Sequence, residues 1–228
     1  MIVIKNSRIR LLIKIIVPFV VIPMIVFFGS NAFGAKKHLF LSFIVAVFAL
    51  VLFLSGFERK KTGSRRLVIV AVMTALGIVG RFIPFFKPIT ALTIITAIYL
   101  GGEAGFLVGA LSALLSNFYF GQGPWTPFQM LAWGMIGLIA GYLALPLKKH
   151  RISLVLYGVV SGALYSFIMD IWSVMWYNEG LSLSVYTAGI IAALPHTLLY
   201  MISNFLFLWF LAPPFGEKLE RVKLKYGV

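Results

Sequence analysis

Gly121-Gln122-Gly123-Pro124-Trp125-Thr126-Pro127-Phe128-Gln129-Met130-Leu131-Ala132-Trp133 contains no charge and joins two long apolar runs. Two glycines, two prolines, two glutamines and two tryptophans fall within this stretch. The glycines and prolines at its start favour a tight, non-helical path. Trp125 and Trp133 offer flat apolar faces with one N–H donor each, and Gln122 and Gln129 offer amide donors and acceptors. A rigid, uncharged loop of this kind at a membrane surface suits a large polar organic molecule. It equally suits a turn with an interfacial aromatic anchor.

The runs on either side decide the class. Of the 228 residues 61% are hydrophobic and 11% charged, with a mean hydropathy of +1.01. A soluble domain could not hide that much apolar surface, so the expected fold is all-α, a polytopic membrane helix bundle. Apolar runs cover residues 11–28, 38–57, 67–83, 89–100, 104–120, 127–147, 152–176 and 186–211. The run 89–100 is short, since a span needs about 20 residues, and is expected to be tucked among its neighbours. Pro18 and Pro23 interrupt the first run, which is read as a retained helix rather than a cleaved signal. The basic linker 58–66 is the best internal boundary. It divides N-terminal apolar helices (1–66) from a membrane core (67–211), and a basic tail (212–228) follows.

The formal charge of +14 follows from topology. With alternating spans and an inner N-terminus, 16 of the 20 lysines and arginines fall on the inner side and four, Lys36, Lys37, Arg81 and Lys87, on the outer side. This positive-inside bias places both termini in the cytoplasm and the 121–133 stretch outside, and it accounts for the charge without nucleic acid.

Polar groups in an apolar bundle are costly, so their depth is informative. Asn117, Gln129, Trp133, Asp170, Trp172 and Trp176 all fall in outer turns, with Tyr177 and Asn178 just beyond. Asp170 lies about 9 Å below the end of its run. His196 is nearer the midplane, which places it at the floor of an outward pocket. Each has a plainer alternative. Asp170 can pair with Arg81. His196 can satisfy a backbone group freed by Pro195. The tryptophans can form a belt and Asn117 an interhelical bond. Small residues recur at helical spacing in Ala71/Ala75, Gly105/Gly109/Ala113, Gly137/Gly141 and Gly158/Gly162, a pattern that lets helices approach closely.

Several activities are excluded or unsupported. There is no cysteine, and the three histidines form no metal set. No phosphate-binding loop, zinc-protease motif or nucleophile elbow occurs, so active transport would draw energy from a partner.

Ala71-Val-Met-Thr-Ala-Leu-Gly-Ile-Val-Gly-Arg, Lys87-Pro-Ile-Thr-Ala-Leu, Gly105-Phe-Leu-Val-Gly-Ala-Leu-Ser-Ala and the run from Ser116 to Gly134 together resemble the substrate-binding S component of energy-coupling factor (ECF) vitamin transporters. The cobalamin-type branch is the nearest. The resemblance covers residues 67–211 and implies a six-helix core, here with two extra N-terminal helices. It implies capture of a vitamin, cobalamin or a corrinoid precursor, outside the cell. It also implies a membrane coupling subunit, two ATP-hydrolysing subunits and a tilting motion that delivers the cargo. The family's alanine motif falls on Ala71 and Ala75 as the partner interface. The candidate substrate-binding residues are Asn117, Tyr119, Gln122, Trp125, Gln129, Trp133, Asp170, Trp176, Asn178 and His196, with no catalytic residue, cofactor or metal. The competing classes are a membrane-embedded enzyme acting on a lipid or isoprenoid, and a binding-only receptor.

Overall fold

The computed structural model describes residues 6–33, 38–55, 63–177 and 182–226, and every regular element among them is helical. The first run is α1 (Ser7–Ile16), a π-helical turn (Val17–Val21) and α2 (Ile22–Phe33). Pro18 has no N–H to give and its ring crowds the preceding turn. The helix answers by widening: the amide of Ile22 donates to Val17 five residues back, and the chain continues. The other runs become α3 (His38–Ser55), α4 (Gly63–Gly80), α5 (Ile89–Leu100), α6 (Gly102–Phe120), α7 (Trp125–Tyr142), α8 (Ala144–Lys149), α9 (Arg151–Tyr177) and α10 (Leu183–Tyr226). Lys36, Lys37 and most of the 58–66 linker lie outside the described residues.

Ser7–Gly29, Gly102–Phe120, Arg151–Tyr177 and Leu183–Lys225 are long and apolar enough to cross a membrane, whereas Leu39–Ser55 and Ile89–Leu100 are apolar but shorter. The short α5 is central, with eleven of its twelve residues buried. It packs against α4, α6, α7, α9 and α10.

The tail expected after residue 211 departs from the sequence reading. Pro213 and Pro214 do not end α10, which runs on to Tyr226. This last part is amphipathic and docked: Leu219 is buried, Gly216 sits under the Tyr99 hydroxyl, and Glu220 meets Lys148 at 3.7 Å. Packing along one face holds the helix through the prolines.

Ion pairs define one end of the bundle, called here the basic end. Glu103, at the start of α6, receives Lys14 of α1 at 2.5 Å and Arg66 of α4 at 3.9 Å. The Tyr142 hydroxyl of α7 donates to the Lys14 carbonyl at 3.4 Å. The opposite, loop end carries Arg81, Lys87 and Gly121–Pro124.

Three of the four small-residue stripes lie inside the chain. α6 and α7 meet through their glycines: a Cβ on Gly109 would stand 2.6 Å from the Trp133 carbonyl carbon, and one on Gly137 2.6 Å from that of Gly105. Gly162 meets the backbone of α10 at Tyr200 and Met201 in the same way, while Gly158 receives the Leu208 side chain. Within lipid there is no hydrophobic drive between helices, so this close approach supplies much of the association energy. Gly109→Ala should therefore cost about 1–3 kcal/mol, because backbone rather than a flexible side chain would have to yield. A thermal melt in detergent checks this, and an unchanged midpoint would refute it. The fourth stripe differs, since Ala71 and Ala75 are exposed. They share their helix with exposed Val68, Val72, Leu76 and Val79.

Candidate functional site

Arg81 follows directly on the last residue of α4, and its guanidinium turns back into the bundle. One Nη donates to Ser116 Oγ and to Asn117 Oδ1, each at 2.6 Å. Its carbon lies 4.6 Å from the centre of the Phe120 ring, within reach of a cation–π attraction. An arginine can only donate, so it dictates which atom each partner turns toward it. Asn117 must present its oxygen to Arg81, which leaves its Nδ2 to donate to Thr126 Oγ1 at 2.9 Å and Gln129 Oε1 at 2.8 Å. Gln129 Nε2 then donates to the Tyr165 hydroxyl at 3.1 Å. Tyr165 stacks on Trp133 with centroids 4.8 Å apart and planes 8° apart, and meets Tyr200 edge-on at 5.1 Å. Four helices, α6, α7, α9 and α10, are thereby tied to the Arg81 loop.

That loop is pinned from its other end. Lys87 Nζ donates to the carbonyls of Arg81 at 2.6 Å and Ile83 at 2.7 Å. The Lys87 amide donates to Ser203 Oγ at 2.9 Å, and that hydroxyl donates back to the Lys87 carbonyl at 3.0 Å. Between them Phe85 adopts a φ of 63°, a left-handed conformation costing a non-glycine residue about 1–2 kcal/mol. Burial, and next the nearby Arg81, lower the Lys87 pKa below the usual lysine value.

These groups enclose a cavity of about 70 Å³, lined by Arg81, Lys87, Ile89, Gln129, Trp133, Tyr165 and Tyr200. It combines two cations, an amide, two phenols and an indole. Neither cation has an acidic partner among the described residues.

The expected residues separate into groups. Gln129 and Trp133 line the cavity, and Asn117 holds Gln129 from behind. Gln122 shapes the loop: its Nε2 donates to the Leu114 carbonyl at 2.8 Å and its Oε1 accepts from Thr126 at 3.0 Å. Trp125 covers Gly123 and contacts Trp172 edge-on at 5.7 Å, in an aromatic group that continues to Trp176 and lies apart from the cavity lining. Tyr119 is exposed and packs on Phe82 at 4.7 Å. Asn178 lies outside the described residues.

Two expectations are corrected. Asp170 does not pair with Arg81, one Nη of which donates instead to Ser116 and Asn117, and Asp170 Oδ2 is buried without a hydrogen bond. His196 is exposed rather than at a pocket floor. The inward residue at that level is its neighbour Thr197, bonded to Ser166 at 2.6 Å. Arg81, Lys87, Ile89, Tyr165 and Tyr200 are the additions, Arg81 having been expected only as a structural partner of Asp170. The outer-side charge count already singled out Lys87, whereas nothing in the spacing marks the tyrosines.

The model of the ECF transporter substrate-specific component family matches residues 65–225. The chain belongs to this family. No curated protein and no solved structure matches it significantly. The matched segment starts at the first turns of α4 and includes the extension of α10. As an ECF S component the chain is a multi-pass membrane protein and a substrate-binding transporter subunit rather than an enzyme. Such components bind a small substrate and work with a membrane coupling subunit and ATPases.

In this S component Gln129→Ala should cost about 1–3 kcal/mol of stability, because it removes a buried partner of both Asn117 and Tyr165. Trp125→Ala, outside the network, should leave the loop-end cavity intact. Melting of both variants, with tryptophan fluorescence of the Trp133–Tyr165 stack, checks the contrast. Equal perturbation of the stack by both would refute it.

Proposed function

We propose that this S component captures a small, flat, carboxylate-bearing vitamin or vitamin-like solute in the loop-end cavity, on the extracellular side. The observation that carries the reading is the pair Arg81 and Lys87, held at one cavity without a counter-anion among the described residues. A carboxylate would meet the guanidinium fork and the ammonium together, and a ring would lie against the Trp133–Tyr165 stack. The start of α5 adds to this. Ile89 lines the cavity, the helix has no side-chain cap, and the positive end of its dipole favours an anion. A corrinoid, the expectation from the cobalamin-type resemblance, far exceeds this cavity, and a small ring carboxylate enters it only with some yielding of the lining side chains.

Delivery in this reading runs through the coupling subunit seated on Ala71 and Ala75, powered by two ATP-hydrolysing subunits, with both termini of the S component cytoplasmic. The exposure of this one small-residue stripe, when the other three are consumed inside the bundle, supports the assignment.

The test is mass spectrometry of ligand released from the purified protein, followed by calorimetry with biotin, nicotinate and cobalamin. A small carboxylate should bind and cobalamin should not. Tight cobalamin binding would overturn the reading. Affinity for the carboxylate should also fall as pH rises through the lowered Lys87 pKa, because the neutral amine no longer attracts the anion. Lys87→Arg, which stays cationic, should remove that fall.

A further inference from the structure

A second cavity, of about 200 Å³, lies at the basic end between α5, α8, α9 and the extension of α10. Its floor is apolar and closed: Ile98, Leu147, Leu154 and Ala212 all line it and are all buried. Its rim is cationic, with Lys148, Lys149 and Arg151 contributing to the lining. Lys149 and Arg151 are exposed.

The three cations differ in what already holds them. Lys148 lies 4.1 Å over the Tyr99 ring and 3.7 Å from Glu220. Its pKa is lowered first by burial and then by Lys223, while Glu220 opposes that shift. A second lysine thus adds its field to the same corner, and one carboxylate does not neutralise it. Arg151 donates through one Nη to the Trp209 carbonyl and stacks on the Trp209 ring at 3.9 Å. Its guanidinium is fixed in place, yet one anchoring bond leaves most of its five donors unspent. Lys149 forms no ion pair among the described residues.

We infer that this groove seats an anionic phospholipid, its phosphate between Lys149 and Arg151 and the start of an acyl chain on the apolar floor. The combination decides the occupant. A soluble anion has no use for a floor of leucine, isoleucine and alanine, and a zwitterionic lipid gains little from three cations. Basic pockets between membrane helices at the end richer in lysine and arginine suit anionic headgroups. The site lies at the opposite end from the substrate cavity and does not depend on its assignment.

The experiment uses the full chain in detergent with added phosphatidylglycerol, phosphatidylcholine or inorganic phosphate, read by native mass spectrometry and thermal melting. Phosphatidylglycerol should be retained and raise the melting point, with phosphatidylcholine at least about tenfold weaker and phosphate without effect. Lys149→Ala, an exposed change that leaves the folding contacts alone, should weaken phosphatidylglycerol about fivefold. Binding at the loop end should be unchanged in that variant. Equal retention of both lipids, equal protection by phosphate alone, or undiminished phosphatidylglycerol binding by Lys149→Ala would each overturn the inference.

Discussion

Arg81→Gln should lower substrate affinity by about 30-fold to several thousand-fold. Removing one side of a buried, hydrogen-bonded charge pair costs about 2–5 kcal/mol. Two losses combine here. The carboxylate would lose its fork, and Asn117 would lose the donor that fixes its orientation and, through it, that of Gln129. Arg81→Lys separates them, because it keeps the charge and gives up the planar fork; its affinity should fall between those of the parent and the glutamine variant. Calorimetry with the carboxylate that binds the parent protein, beside a melt showing that each variant is folded, makes the comparison. A folded Arg81→Gln protein with parental affinity would remove Arg81 from the site and with it the anionic substrate.

The second large effect is expected at the proposed coupling surface. Ala71→Trp or Ala75→Leu should leave substrate binding by the isolated subunit nearly intact, yet abolish ATP-driven uptake and assembly with the coupling subunit. The two alanines are four residues apart and stand one above the other on α4. Their methyl groups set how closely another helix can approach, and both are exposed. Copurification of the coupling subunit and uptake into proteoliposomes read the result. Joint loss of thermal stability and substrate binding would mean that the face packs within the bundle after all. Normal uptake would mean that coupling runs elsewhere.

Apolar length carries most of the architecture, and length is a property of sequence. Each of the eight runs forms helix over most of its described residues, although the run 67–83 stops at Gly80 and the run 127–147 breaks at Leu143 into α7 and α8, and the shortness of residues 89–100 correctly points to a helix enclosed by others. The end of α10 is hidden from the sequence because the apolar run stops at residue 211, whereas contacts from distant residues such as Tyr99 and Lys148 hold that helix on course through Pro213 and Pro214.

The site is legible in depth but not in direction. Asn117, Gln129 and Trp133 stand at one level, and they do converge. His196 stands at a plausible depth but points away, because one residue along a helix is a rotation of about 100° and the inward position belongs to Thr197. Arg81 finds partners other than the expected acid for a related reason. A charge near an acid in depth invites an ion pair, but one Nη of Arg81 goes to two side-chain oxygens on α6 instead.

The enclosure of α5 bears on how cargo can leave. Its twelve residues span about 18 Å, while the hydrocarbon layer is about 30 Å thick, so the helix falls some 12 Å short of that thickness. Ile94, Ile95 and Ala97 are completely buried, and a straight passage would require extracting a helix walled in on all sides. The subunit is a cup with a solid base, not a conduit. If cargo is taken up at the rim, as proposed, it would be emptied on the far side only by turning the cup itself over, and the work of turning would fall to whatever grips its outer wall.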